Sequence, residues 1–272
     1  MSTAKKIVVS GGFDDVRSRD LRFLQEAARL GEVTVLLWAD QAVEKFTGKK
    51  PKFPLAERLY FLNAVRYVSH VVEFAPASSV DELPGNIAAD IWVDREDSTN
   101  ARRAEFCKRK GVAYRVTKNE ELKGFPELAP MPGAPGRKKV VATGCYDWFH
   151  SGHVRFFEEC SSHGDLYVVV GHDANIRLLK GEGRPLFPEA ERRYIVSAVR
   201  FVKQSLISSG HGWLDAEPEM KIIQPHIYAV NEDGDVPEKR EYCQKQGIEY
   251  LVLKRAPALG LPRRSSTDLR GY

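Results

Sequence analysis

Cysteine is scarce in this chain: four among 272 residues, at 107, 145, 160 and 243, with no paired spacing. That pattern excludes a disulfide framework and a zinc-ribbon arrangement, and it points to a reducing compartment, the cytoplasm. No apolar run approaches the ~20 residues that a membrane helix needs, and Met1-Ser-Thr-Ala-Lys-Lys6 lacks the apolar core of a secretory signal. A strong excess of one charge is missing too, with 41 Lys and Arg against 37 Asp and Glu. No basic stripe interleaved with aromatics appears, so nucleic acid is not an expected partner, whereas anionic small molecules are.

What the chain does have is internal repetition. Lys5 to Asp14 aligns with Lys138 to Asp147, Phe53-Pro-Leu-Ala-Glu-Arg58 with Phe187 to Arg192, Ala64 to Val68 with Ala198 to Val202, and Arg95-Glu-Asp97 with Asn231-Glu-Asp233, at offsets of 133 to 136 residues. Solenoid repeats run about 20 to 50 residues, so a period of this size marks a tandem pair of domains. Each copy alternates apolar runs with amphipathic segments: Ile7 to Val9, Val33 to Trp38 and Ile91 to Val93, then Val140 to Ala142, Leu166 to Val170 and Ile227 to Val230. Such alternation predicts an α/β fold, a parallel sheet covered by helices with ligands at the carboxyl ends of its strands. Residues 121–137, with prolines at 126, 130, 132 and 135, read as a linker between domains 1–120 and 138–272.

The most informative segment is Thr143-Gly-Cys-Tyr-Asp-Trp-Phe-His-Ser-Gly-His153. A short apolar strand precedes it and a helical pattern begins at Val154, so His150 and His153 fall at the strand-to-helix turn or in the first helical turn. Residues three apart share a helix face, and a helix N-terminus offers unpaired N–H groups to an anion. Gly152 leaves room for a phosphate to approach the backbone. Surface histidines or a metal pair would give the same spacing; a metal needs further ligands, and no neighbouring Cys/His cluster supplies them.

In this context the segment resembles the signature of the nucleotidylyltransferase superfamily, His-x-Gly-His after a strand ending in Gly-x-(Phe/Tyr)-Asp, and within it the cytidylyltransferases. Three further pieces match in order: Gly164 to Asp173, then Lys180-Gly181 with Arg184 to Arg193, then Arg264-Ser-Ser-Thr-Asp-Leu-Arg270. The tandem layout is similar to that of the ethanolamine-phosphate cytidylyltransferases, although here the second copy keeps the motifs. The resemblance implies two tandem Rossmann-like (HUP-type) doubly wound parallel-sheet domains forming a pseudo-dimer, with a homodimer of the whole chain also open.

The reaction implied is attack by a phosphorylated acceptor on the α-phosphate of a nucleoside triphosphate, CTP first, with release of pyrophosphate. Ethanolamine phosphate, glycerol phosphate or a related polyol phosphate is the expected acceptor. His150, His153 and Lys180 are the implied catalytic residues. Thr143, Gly144, Tyr146, Asp147, Gly152, Asn231, Arg264, Ser265, Ser266 and Thr267 are the implied nucleotide contacts. Asp147 is ambiguous between orienting a histidine and holding the turn. The family's Arg-Thr-x-Gly-(Val/Ile)-Ser-Thr-Thr element is replaced by Gly260-Leu-Pro-Arg-Arg-Ser-Ser-Thr267, which moves Arg263 and Arg264 next to the serines. Mg²⁺ is expected as the counter-ion of the triphosphate, with no dedicated protein metal site.

The first copy has Arg17-Ser-Arg-Asp20 in place of the histidine motif and Phe46 in place of Lys180, so it is expected to be non-catalytic. Two other readings stay open: an adenylyltransferase using ATP, and a non-catalytic nucleotide sensor or scaffold. Trp213, in the segment Ser208 to Met220, is a candidate either for stacking on a ligand or for ordinary partial burial.

Overall fold

The structure, a computed structural model, describes residues 4–76 and 79–269. The chain divides between Gly124 and Phe125 into two compact units.

The first unit runs β1 (Lys6–Gly11), α1 (Ser18–Ala28), β2 (Glu32–Trp38), α2 (Asp40–Thr47), α3 (Leu55–Asn63), β3 (His70–Phe74), β4 (Ile91–Arg95), α4 (Ala101–Lys110) and β5 (Ala113–Thr117). The second runs β6 (Lys139–Gly144), α5 (Ser151–His163), β7 (Asp165–Val170), α6 (Asp173–Lys180), α7 (Glu189–Ser197), β8 (Val202–Ile207), α8 (Glu217–Ile223), β9 (Ile227–Asn231), α9 (Pro237–Gln246), β10 (Glu249–Leu253) and α10 (Ser266–Leu269). Both sheets are parallel and share one order, β3-β2-β1-β4-β5 in the first unit and β8-β7-β6-β9-β10 in the second. This is the doubly wound α/β arrangement that the alternation of apolar runs predicts.

The inner strands are the ones visible as apolar runs, because a parallel strand covered by helices on both faces is buried throughout. Asp165-Leu-Tyr-Val-Val-Val170 is the clearest case, with five of its six residues buried. The sequence reading misses β3, β5, β8 and β10, and all four are edge strands. Their polar residues, as in Val202-Lys-Gln-Ser-Leu-Ile207, sit at positions that one side of the sheet leaves open. The core of the second unit packs Val141, Val169 and Tyr228 of the sheet against Met220, Ile223, Tyr242 and Cys243 of α8 and α9.

The proline-rich stretch is bonded along the second unit. Met131 N–H donates to Lys203 O at 2.9 Å and Ala134 N–H to the Asp165 carboxylate at 3.0 Å, while Lys203 Nζ reaches Pro132 O at 3.0 Å. The main-chain bond from Met131 falls on edge strand β8, which would otherwise present unpaired backbone groups. All four cysteines are free. Among the described residues no helix is long and apolar enough to cross a membrane.

The pairing register of the second sheet opens the site. Strand β6 is bonded to β7 over its full length, but its ladder with β9 ends at Ala142 opposite Ala229. Beyond that point Thr143-Gly144 and Val230-Asn231 diverge, at the place where the winding reverses direction.

Candidate nucleotide site

A cavity of about 350 Å³ lies at this divergence, lined by the ends of β6, β7 and β9 and the first turn of α5. Of the residues expected from sequence, it collects Thr143, Gly144, Tyr146, Asp147, His150, Gly152, His153, Lys180, Asn231 and Ser266. Arg264 lines a smaller side pocket that shares Gly152, Asn231 and Arg255 with the main one. Ser265 and Thr267 line neither. Ser265 Oγ instead accepts the Asp268 N–H at 3.2 Å, and Ser266 Oγ donates to Trp148 O at 3.0 Å.

His150 is the N-cap of α5, and His153 stands at the third helical position. Gly152 N–H donates to His150 Nδ1 at 3.1 Å, and His150 N–H donates to His153 Nδ1 at 3.4 Å. This is a capping box built from two imidazoles. A ring nitrogen that accepts a backbone N–H carries no proton, so each neutral ring keeps its proton on Nε2. His150 Nε2 is buried without a protein partner.

The rings are stacked with centroids 4.0 Å apart, and His153 also contacts Phe149 and Tyr146. Burial pushes the His150 pKa down to about 3, helped by the Arg255 and Arg264 cations. His153 lies well below the usual imidazole range for the same reason, with His150, Arg255 and Lys180 adding to the effect. Both side chains are therefore neutral donors near pH 7, not cations.

The glycines serve the rings. A Cβ on Gly152 would meet His150 Cε1 at 2.9 Å, so glycine is needed here to leave room for the imidazole. A Cβ on Gly144 would strike the Tyr146 ring at 2.8 Å. Tyr146 adopts a φ of 52°, which turns its ring back under the strand end, where its hydroxyl is buried.

Asp147 holds the turn, its carboxylate accepting the N–H groups of Leu186 and Phe187 at 2.8 and 3.0 Å. Arg192, fully buried, completes the frame. It donates to Phe187 O at 2.9 Å, Cys145 O at 2.6 Å, Gly171 O at 2.8 Å and Asp173 at 2.6 Å, tying three loops of the site together. Thr143 Oγ1 is bonded to Tyr228 OH at 2.7 Å.

Several lining residues escape the sequence reading. Arg255, just past β10, pairs with Asp233 at 2.6 Å and donates to Arg264 O at 3.3 Å, and it brings its charge to both histidines. Asn175, Asp215 and Lys239 also face the cavity. None lies in a recognisable motif, and Lys239 sits in Glu238-Lys-Arg-Glu241, which reads as a solvated helix face. Trp213 is half exposed at the cavity wall, a position suited to stacking on a ligand.

In the first unit the equivalent turn is built with ion pairs. Asp20 accepts the Arg17 N–H at 3.0 Å, as His153 does for His150, and it also pairs with Arg95 at 2.6 Å. Arg17 pairs with Asp15 at 2.6 Å.

Comparison with known proteins agrees with this geometry. A family model described as cytidylyltransferase-like matches residues 141–267. The FAD synthase of Ferroglobus placidus is 36% identical over 120 residues, 43% of this chain and 75% of that protein. The bifunctional protein HldE of Geobacter metallireducens is 35% identical over 156 residues, 56% of this chain. This chain spans only 30% of the length of that HldE and 35% of another from Aliarcobacter butzleri. A lipopolysaccharide core biosynthesis protein from Thermoplasma volcanium, of known crystal structure, is 25% identical with a TM-score of 0.38, covering 45% of this chain and 98% of its own. The chain belongs to the cytidylyltransferase-like family of nucleotidylyltransferases.

Proposed function

We propose that the second unit transfers a nucleotidyl group from a nucleoside triphosphate to a phosphorylated acceptor. An acceptor phosphate oxygen attacks the α-phosphorus, the bond from that phosphorus to the bridging oxygen of the β-phosphate breaks, and pyrophosphate leaves with the electron pair. The observation that carries this reading is the pair of neutral, Nε2-protonated imidazoles at the start of α5, inside a cavity that also holds Lys180 and Arg255. Phosphoryl-type transfer depends on positioning and on donors for shifting charge, with no covalent nucleophile required. His150 and His153 would donate to the α- and β-phosphates, and Lys180 would face the attacking or α-phosphate as a point charge. Arg255 would join Arg264, which lines the adjoining side pocket, in holding the triphosphate.

Magnesium would enter on the oxygens of the triphosphate, where it would neutralise charge. Among the described residues no group of three His, Cys, Asp or Glu side chains is arranged to hold a metal.

Two donors are supported by different observations. The likeness to FAD synthases, whose named product carries an adenylyl unit, favours ATP with a phosphorylated cofactor precursor or other small phosphomonoester. The Gly144-Cys-Tyr-Asp147 wording favours CTP with ethanolamine phosphate, glycerol phosphate or a polyol phosphate. Pyrophosphate release with Mg²⁺ tests both, crossing ATP and CTP with a panel of phosphomonoesters and using His153→Ala as the blank. Release with one pair identifies donor and acceptor together. Silence with every pair, alongside measurable nucleotide binding, overturns the enzymatic reading in favour of a sensor.

A further inference from the structure

Lys239, in the first turn of α9, is only 7% exposed, yet its side chain lines the main cavity. Its ammonium donates to Gly234 O at 3.2 Å, and among the described residues no carboxylate lies within ion-pair distance of it. The ammonium also lies over the Tyr228 ring, 5.7 Å from its centroid, which leaves at least one N–H for a ligand. A cation buried without a directly paired carboxylate is costly to the fold.

Its charged neighbours differ from those of the histidines, and Asp233, which pairs with Arg255, is common to both sides. The cations acting on the two histidines are Arg255, Arg264 and Lys180, whereas the charges acting on Lys239 are Asp215, Asp233 and Asp235. Asn231, the last residue of β9, lines the cavity too, and its Oδ1 is buried without a partner. The turn Glu232–Gly234 joins the two, since it follows Asn231 directly and supplies the carbonyl that holds Lys239. The cavity therefore presents an unpartnered acceptor and a donor with a spare N–H on neighbouring segments.

We infer that Lys239 and Asn231 read the edge of the nucleotide base, Asn231 Oδ1 accepting from an exocyclic amine and Lys239 Nζ donating to the adjacent ring nitrogen. This rests on the nucleotidylyl-transfer reading and deepens it. Adenine and cytosine both offer an amine beside an unprotonated ring nitrogen; guanine and uracil present an oxygen and an N–H in the reverse order. The pair selects amino bases over keto bases, and Lys239 is the specificity-determining residue.

The test is calorimetric binding of ATP, CTP, GTP, UTP and inorganic tripolyphosphate to the intact protein and to Lys239→Met, with thermal melting of both. The protein is expected to bind ATP or CTP at least ~10-fold more tightly than GTP and UTP. Lys239→Met is expected to weaken the preferred nucleotide by about 10- to 100-fold, the range for a hydrogen bond to a charged group. Discrimination should shrink, tripolyphosphate binding should stay within about threefold, and the melting temperature should hold or rise. Unchanged discrimination in Lys239→Met overturns the inference while leaving the nucleotidylyl-transfer reading intact. So does an equal loss of tripolyphosphate binding, which would place Lys239 on the phosphates. A lowered melting temperature with unchanged binding assigns it to structure alone, and no nucleotide binding by the intact protein overturns both proposals.

Discussion

The two nitrogens of His150 have separate tasks, and two substitutions divide them. Nδ1 caps the helix by accepting the Gly152 N–H, while Nε2 is buried without a protein partner and, on the proposed reading, would donate to the substrate. In His150→Asn the amide oxygen falls near the former Nδ1, so the cap survives and the donor is lost. In His150→Gln the amide nitrogen reaches toward the former Nε2, so the donor survives and the cap is lost. An N-cap side chain contributes about 0.5–2 kcal/mol, and removal of one transition-state donor costs about 2.7–4 kcal/mol, or 10²–10³ in turnover. The Asn variant is expected to lose roughly 10²-fold or more in pyrophosphate release, while its urea stability falls only by the lost ring packing, about 1 kcal/mol. The Gln variant is expected to keep turnover within roughly 10-fold, since a neutral donor remains, and to lose about 1 kcal/mol more in unfolding than the Asn variant. Near-normal turnover by Asn, or identical behaviour of the two variants in both assays, would refute the assignment of the proton to Nε2.

Acid should weaken the second unit. His150 titrates at about 3 in the folded protein against about 6.5 unfolded, so between those values only the unfolded chain takes up its proton and stability falls as pH falls. From pH 7 to pH 5 that amounts to about 2 kcal/mol for this imidazole; urea unfolding at both pH values should show the loss reduced by about that much in His150→Asn. Asp20→Ala removes the cap and the Arg95 pair of the first unit, so it should cost about 1–2 kcal/mol in unfolding while nucleotide turnover stays within about twofold; abolished turnover in a folded variant would place the first unit in the chemistry. Arg255→Met should raise the nucleotide KM about 10-fold or more and weaken tripolyphosphate binding in parallel, with less than about 1 kcal/mol lost in unfolding because its pairing with Asp233 is partly exposed. Unchanged tripolyphosphate binding would remove it from the phosphate site.

How much of this was legible in the sequence follows from how local each signal is. The parallel sheet showed in the inner strands, whose apolar runs need no partner to be recognised. The edge strands did not: in β3, β5 and β8 polar residues on the open side break the run, and in β10 the four apolar residues are bounded closely by Glu249 and Lys254. The turn from Thr143 to His153 was legible because a capping box is a spacing of three, and that spacing places both imidazoles whatever lies elsewhere. Lys239, Asp215 and Arg255 were not, because they reach the cavity from segments remote in sequence from that turn. Their neighbours in the chain are as polar as they are, and only the close of the sheet distinguishes a cavity-facing lysine from a solvated one. Gly152 has a second requirement that the spacing alone does not show: an added Cβ would meet the His150 ring at 2.9 Å.

The two units show which part of this site is scaffold. In the first, Asp14 accepts the N–H groups of Lys52 and Phe53 at 2.6 and 2.8 Å, as Asp147 does for Leu186 and Phe187. Arg58 donates to Phe53 O at 3.0 Å and pairs with Asp40 at 2.6 Å, as Arg192 does with Phe187 O and Asp173. These bonds hold loops against strand ends in both units. The capping bond at the third helical position is kept as well, since the Asp20 carboxylate can accept a backbone N–H as readily as an imidazole nitrogen. What the exchange removes is the second nitrogen of the ring. A carboxylate has no opposite donor to offer a phosphate, and its charge would repel one, so Asp20 is bridged to Arg95, the residue aligned with Asn231. The helix cap tolerates this substitution because it needs only one acceptor at residue 20; the proposed chemistry would need a donor opposite it, where the first unit has the Arg95 pair.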